Sequence, residues 1–99
     1  MVIMNALYKP AFRKFVKKQS RAFQLAIEDE VYEVLKTPQA GEKKKGDLAG
    51  LRVHKFKFRG QEYLVAYTME ARDVVFYMIG THENFYKELK SYLKEVDQT

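Results

Sequence analysis

The period of the hydrophobic residues changes from helical to alternating in the middle of this chain, and that change decides what it can fold into. Up to Pro38 the apolar side chains recur at helical spacing, from Leu51 to Phe58 they alternate, and helical spacing returns after Gly80. An apolar helical stripe and the apolar face of a strand must each be buried against another surface. The two halves therefore cover one another in a single α+β domain over residues 1–99.

In the first half, Asn5 to Tyr8 reads as a short strand, extended back to Val2. Pro10 suits the first turn of a helix, and Phe12, Phe15 and Val16 follow at helical spacing. Ser20 is an N-cap residue type. Behind it Phe23, Ile27, Val31 and Val34 build one apolar stripe, which Leu25 and Leu35 widen. Glu28, Asp29, Glu30 and Glu33 occupy the other side. Pro38 ends this helix, because the residue before a proline disfavours helical backbone.

Gln39 to Gly46 reads as a loop carrying Lys43, Lys44 and Lys45. From Leu51 to Phe58 the chain alternates. Val53, Lys55, Lys57 and Arg59 point one way, and Arg52, His54, Phe56 and Phe58 the other. Residues 59–61 signal a turn, Tyr63 to Met69 a second strand, and Glu70 to Asp73 another turn. Val74 to Ile79 is apolar on both faces, which marks a central strand, and Gly80 is expected to break it. Thr81 can cap a last helix, with Phe85, Leu89, Tyr92 and Val96 as its stripe. The expected order is β-α-α-β-β-β-α. It describes an antiparallel sheet packed against an N-terminal helical hairpin, with a C-terminal helix.

Charge narrows the function. Eighteen Lys and Arg against thirteen Asp and Glu give a net charge of +5. That excess points to a polyanionic partner, nucleic acid first. Six basic residues and no acid fall between Lys9 and Arg21. The absence of cysteine excludes a disulfide framework, a thiolate nucleophile and a Cys-ligated zinc site. No apolar run reaches the length of a membrane span, so no membrane partner is expected and the cytoplasm is the expected location.

Two stretches resemble a known family. Leu48-Ala49-Gly50-Leu51-Arg52-Val53-His54-Lys55-Phe56, followed by Tyr63-Leu64-Val65-Ala66-Tyr67, looks like the basic strand of the RelE/ParE superfamily of type II toxins and the hydrophobic strand after it. Ile79-Gly80-Thr81-His82-Glu83-Asn84-Phe85-Tyr86 is similar to the Gly-Thr-His segment and following aromatic of YafQ-like toxins. With the element order, the resemblance covers nearly the whole chain. It implies a toxin that cuts mRNA in the ribosomal A site by 2′-hydroxyl attack, without a metal or other cofactor. It also implies an antitoxin partner, and operator DNA bound through the antitoxin complex. The chain departs from RelE itself, with Leu64 where RelE has an arginine, and with Thr81 and His82 in the region of another. That departure keeps open a ParE-like alternative, a gyrase inhibitor without nuclease chemistry.

Phosphodiester transesterification needs a base for the 2′-proton, cations for the phosphoryl charge, and an acid for the leaving oxygen. His82 is the acid/base candidate, because imidazole titrates near neutral pH and the matching histidine of YafQ-like toxins is catalytic. Its alternative role is to cap or pack a helix end. His54 and Arg52 join the catalytic candidates if their face opens to substrate, and are structural if it meets the helices. Tyr86, one helical turn after His82, either stacks on a base or packs beside Phe85. Lys55, Lys57 and Arg59, with Arg52 close by, either contact successive phosphates or form a solvated face. Lys14, Lys17 and Lys18, on the basic first helix, either hold ribosomal RNA or stay solvated, and the run Lys43 to Lys45 has the same two readings. Glu62 falls near where YafQ-like toxins place an acid, but the hairpin here is longer, and a surface role is favoured.

Overall fold

The computed structural model describes residues 4–97. The elements run β1 (Asn5–Tyr8), α1 (Pro10–Lys17), α2 (Arg21–Lys36), β2 (Glu42–Lys43), β3 (Arg52–Phe58), β4 (Gln61–Glu70), β5 (Asp73–Thr81) and α3 (His82–Asp97). Single turns of 3-10 helix at Pro38–Ala40 and Gly46–Leu48 flank β2.

The five strands form one sheet in the order β1-β5-β4-β3-β2. The ladders among β2, β3, β4 and β5 are antiparallel. The expected sheet is corrected at its edge, because β1 pairs parallel with β5. The reason is topological: α1 and α2 carry the chain over one face before β5 is laid beside β1.

The two helical segments of the hairpin form as their sequences require. Pro10 takes the first turn of α1. The Ser20 hydroxyl caps α2 by accepting from the Phe23 N–H at 3.2 Å. Phe23, Ile27, Val31 and Val34 are all buried, as their spacing predicts. Leu25 is not: it is 46% exposed, because it lies off that stripe and turns to solvent. The hairpin covers the sheet face bearing Phe56, Val65, Tyr67, Val74, Phe76 and Ile79. Phe23 lies within 4.7 Å of both the Phe58 and Tyr63 rings, centroid to centroid. A side chain of that size, fully buried, contributes roughly 1.5–3 kcal/mol.

The other face is covered by α3. There Leu48, Leu51, Val53, Leu64 and Ala66 pack against Phe85 and Leu89, and Leu93 joins the edge of the cluster. The side chain of Val96, assigned to this stripe above, lies outside the described residues, as does Val2. Gly80 does not break β5. It pairs with Leu64 and the strand continues to Thr81, so α3 starts with His82 directly at the end of the sheet.

The residues expected to be a plain loop include β2, which pairs Glu42 with Val53 and Lys43 with Arg52. The Tyr67 hydroxyl anchors this segment: it donates to the Pro38 carbonyl at 2.6 Å and accepts from the Gly41 N–H at 3.1 Å. Gly41 lies so close to Tyr67 that a Cβ there would overlap the phenol oxygen.

Candidate nucleic-acid site

Strand register decides which candidates meet. Lys55 stands opposite Leu64 and Lys57 opposite Glu62, and Leu64 belongs to the cluster under α3. Both lysines therefore project on the α3 side, and both are exposed. Leu64 in turn pairs with Gly80, and Tyr63 with Thr81. His82 follows Thr81, so α3 opens at the end of β5 whose neighbour on β4 is Tyr63, next to Glu62 in sequence. Lys57 and Glu62 form one cross-strand row on the α3 side, with Lys55 and Leu64 in the next.

His82 is exposed on the first residue of α3. Its ring meets Tyr86 edge to face, centroids 6.1 Å apart at 83°. Tyr86 is half-buried, with Phe85 edge-on at 5.3 Å. The Lys44 ammonium lies 4.8 Å from the Tyr86 ring centroid, a cation–π contact. Lys44 also donates to Glu42 Oε1 at 2.6 Å, and Lys55 Nζ lies 3.9 Å from Glu42 Oε2. The hydrogen bond to Lys44 is the main reason the Glu42 carboxyl sits below its ordinary range. The Lys44 ammonium is pushed up in return, first by Glu42 and then by the Tyr86 hydroxyl. Glu42 was not singled out by sequence, and Glu62 reads there as a surface residue. The only signal for Lys44 was its membership of a lysine run, and only folding separates it from exposed Lys43 and Lys45.

Arg52 and His54 lie on the opposite face, toward α2. His54 pairs across β4 with Val65 and Arg52 with Tyr67, both part of the hairpin-side core. His54 Nε2 is 2.8 Å from Glu30 Oε1 on α2. The Arg52 guanidinium donates to the carbonyls of Gln39 and Gly41, each at 3.1 Å. The sheet thickness separates both from His82. Arg59 also leaves the expected row. It sits in the two-residue turn before β4 at φ 51°, with Gly60 at 83°, and its guanidinium stacks 5.0 Å from the Phe58 ring on the hairpin side. Lys14, Lys17 and Lys18 are exposed on or just after α1, away from the Lys57–Glu62 row.

The arrangement offers an imidazole, an aromatic ring and three ammonium groups on one side of the sheet, beside two carboxylates, Glu42 and Glu62. That set can bind a phosphodiester, stack a base and move a proton. Among the described residues, no helix is long and apolar enough to cross a membrane.

The fold is shared with solved toxin structures. A free double mutant of the E. coli toxin RelE superposes with a TM-score of 0.71 at 18% identity, covering 96% of this chain and 99% of that one. The toxin–antitoxin complex RelBE2 of Mycobacterium tuberculosis gives 0.68 at 19% identity, covering 83% and 94%. The intact E. coli RelBE toxin–antitoxin complex gives 0.64 at 18%, covering 81% and 98%. At these identities the likeness is one of fold. No curated protein sequence matches the chain. The profile of a family described as the ParE-like toxin of type II bacterial toxin–antitoxin systems matches residues 6–90. With that match over most of its length, the chain belongs to the ParE-like toxin family of type II bacterial toxin–antitoxin systems.

Proposed function

We propose that this toxin is a metal-independent endoribonuclease that cuts mRNA on the ribosome. The observation that carries the reading is the Lys57–Glu62 pair of β3 and β4 on the sheet face that α3 covers, with Lys55 beside it and with His82, in contact with Tyr86, opening α3 at the end of β5. Cleavage joins the 2′-oxygen to phosphorus and breaks the bond to the 5′-oxygen. His82 gives its proton to that leaving oxygen. Glu62, the carboxylate opposite Lys57, takes the proton of the 2′-hydroxyl. Lys55 and Lys57 offset the charge that builds on the phosphoryl oxygens. Tyr86 stacks on a base turned out of the strand. The 2′-hydroxyl is already next to its phosphate, so the nucleophile needs no metal to position it.

The solved RelBE structures hold the related toxins with their antitoxins. By that likeness a cognate antitoxin binds this chain, and the family resemblance adds operator DNA as the partner of the complex. A toxin of this kind acts in the cytoplasm, where ribosome and mRNA are.

The ParE name of the matched family favours a second reading, poisoning of DNA gyrase without cutting RNA. Which polymer breaks on expression, mRNA or DNA, separates the two, and His82→Ala tests the residue. Expressed at equal amounts without antitoxin, it should lose toxicity while keeping its fold and antitoxin binding. Wild-type toxicity in that variant would remove His82 from the mechanism.

A further inference from the structure

We propose that Lys44 and Lys55 form an additional phosphate seat at the edge of this site, and that the Glu42 carboxylate occupies it until an RNA phosphodiester displaces it. The inference rests on the endonuclease reading and adds Lys44 and Glu42 to it, with Lys55 shared between the seat and the reacting phosphate.

The geometry is that of an anion held between two cations. Glu42 gives one oxygen to Lys44 at 2.6 Å and turns the other toward Lys55 at 3.9 Å. A phosphodiester also presents two anionic oxygens on one centre, so it can replace the carboxylate on the same ammonium groups. Lys44 is the fixed member. Its side chain is only 18% exposed and its ammonium sits over Tyr86, which itself meets His82. Lys55 is the strand residue one row from Lys57. The seat is thus continuous with the groups assigned to chemistry.

Glu42 is suited to leave. Its side chain is 56% exposed and it stands on a two-residue edge strand. An exposed ion pair of this kind is weak and exchanges readily. While in place it keeps two like charges from repelling and holds Lys44 against Tyr86. The cost is competition with RNA.

The test uses the purified full chain and ribosomes stalled on an mRNA whose A-site codon is 2′-O-methylated, so that binding is read without cleavage. Glu42→Gln keeps the shape and removes the competing charge. It should bind these ribosomes roughly two- to fivefold more tightly than wild type, the size of a weak exposed ion pair. Lys44→Gln should weaken binding, and in the Glu42→Gln background it should cancel the gain. Glu33→Gln is the control, since Glu33 is also exposed and paired with a lysine, Lys36, but lies on α2. A gain in Glu42→Gln no larger than in Glu33→Gln overturns the seat and leaves the endonuclease reading standing. Wild-type protein that does not bind the stalled ribosomes overturns both.

Discussion

His54 Nε2 lies 2.8 Å from Oε1 of Glu30, and the pair closes α2 onto β3 on the face of the sheet turned away from His82. The two histidines of the chain therefore have separate tasks. His54→Gln should lower stability by about 0.5–1.5 kcal/mol, the worth of one such hydrogen bond. It should leave mRNA cleavage unchanged when folded protein is compared at equal amounts. Denaturant unfolding and a cleavage assay on the same preparation measure both. Loss of cleavage without loss of stability would return His54 to the chemistry.

The cations should also divide by face. Lys57→Ala should lower the rate of cleavage by about 100-fold, because it removes a charge aimed at the reacting phosphate. Replacing Lys14, Lys17 and Lys18 together with Gln should leave the rate on bound substrate unchanged and only weaken binding to the ribosome. Single-turnover kinetics at saturating toxin distinguish the two. Equal losses in rate would mean that the α1 surface takes part in the reaction.

Tyr67 ties β4 to the segment leading into β2, and through it to the Lys44 seat. Tyr67→Phe leaves the Gly41 N–H and Pro38 carbonyl without their partner and should cost about 1–3 kcal/mol. Burial pushes the Tyr67 hydroxyl above its ordinary range. The folded protein therefore holds this proton more tightly than the unfolded chain does. The stability it contributes is complete below a pH of about 10 and falls as the pH rises through the folded value. The gap between wild type and Tyr67→Phe, followed by urea unfolding, should narrow in alkali. A gap that widens there contradicts the assignment.

Arg59 sits at φ 51° in the turn between β3 and β4, a left-handed conformation that costs a side-chain-bearing residue roughly 1 kcal/mol or more. Arg59→Gly relieves that strain but adds freedom to the unfolded chain, so the net gain in stability should be small, about 0.5 kcal/mol. Because its guanidinium rests on Phe58 rather than in the lysine row, cleavage should be unaffected. A fall in cleavage with stability retained would put Arg59 on the RNA.

Most of the fold was legible because it is written in local patterns. The stripe from Phe23 to Val34, the Ser20 cap and the alternation from Arg52 to Phe58 each follow from one element's own residues. The parallel placement of β1 and the two-residue β2 were not, since both depend on pairing with distant strands. The site divides the same way. Alternation set Lys55 and Lys57 on one face, and folding left them there. It does not say which face the hairpin covers; in the fold His54 meets Glu30 of α2, and Arg52 is held by the carbonyls of Gln39 and Gly41. Arg59 was assigned to the lysine face by parity, and the turn rotates it off. Lys44 and Glu42 take their places through register and loop path, which carry no signature in a single sequence.

The central claim is that this toxin cuts translated mRNA. Primer extension on a reporter mRNA after brief induction, with and without translation of that message, tests it directly. The account predicts cuts inside the reading frame that vanish when translation is blocked. Intact mRNA in growth-arrested cells, with double-strand breaks in their DNA, would contradict it.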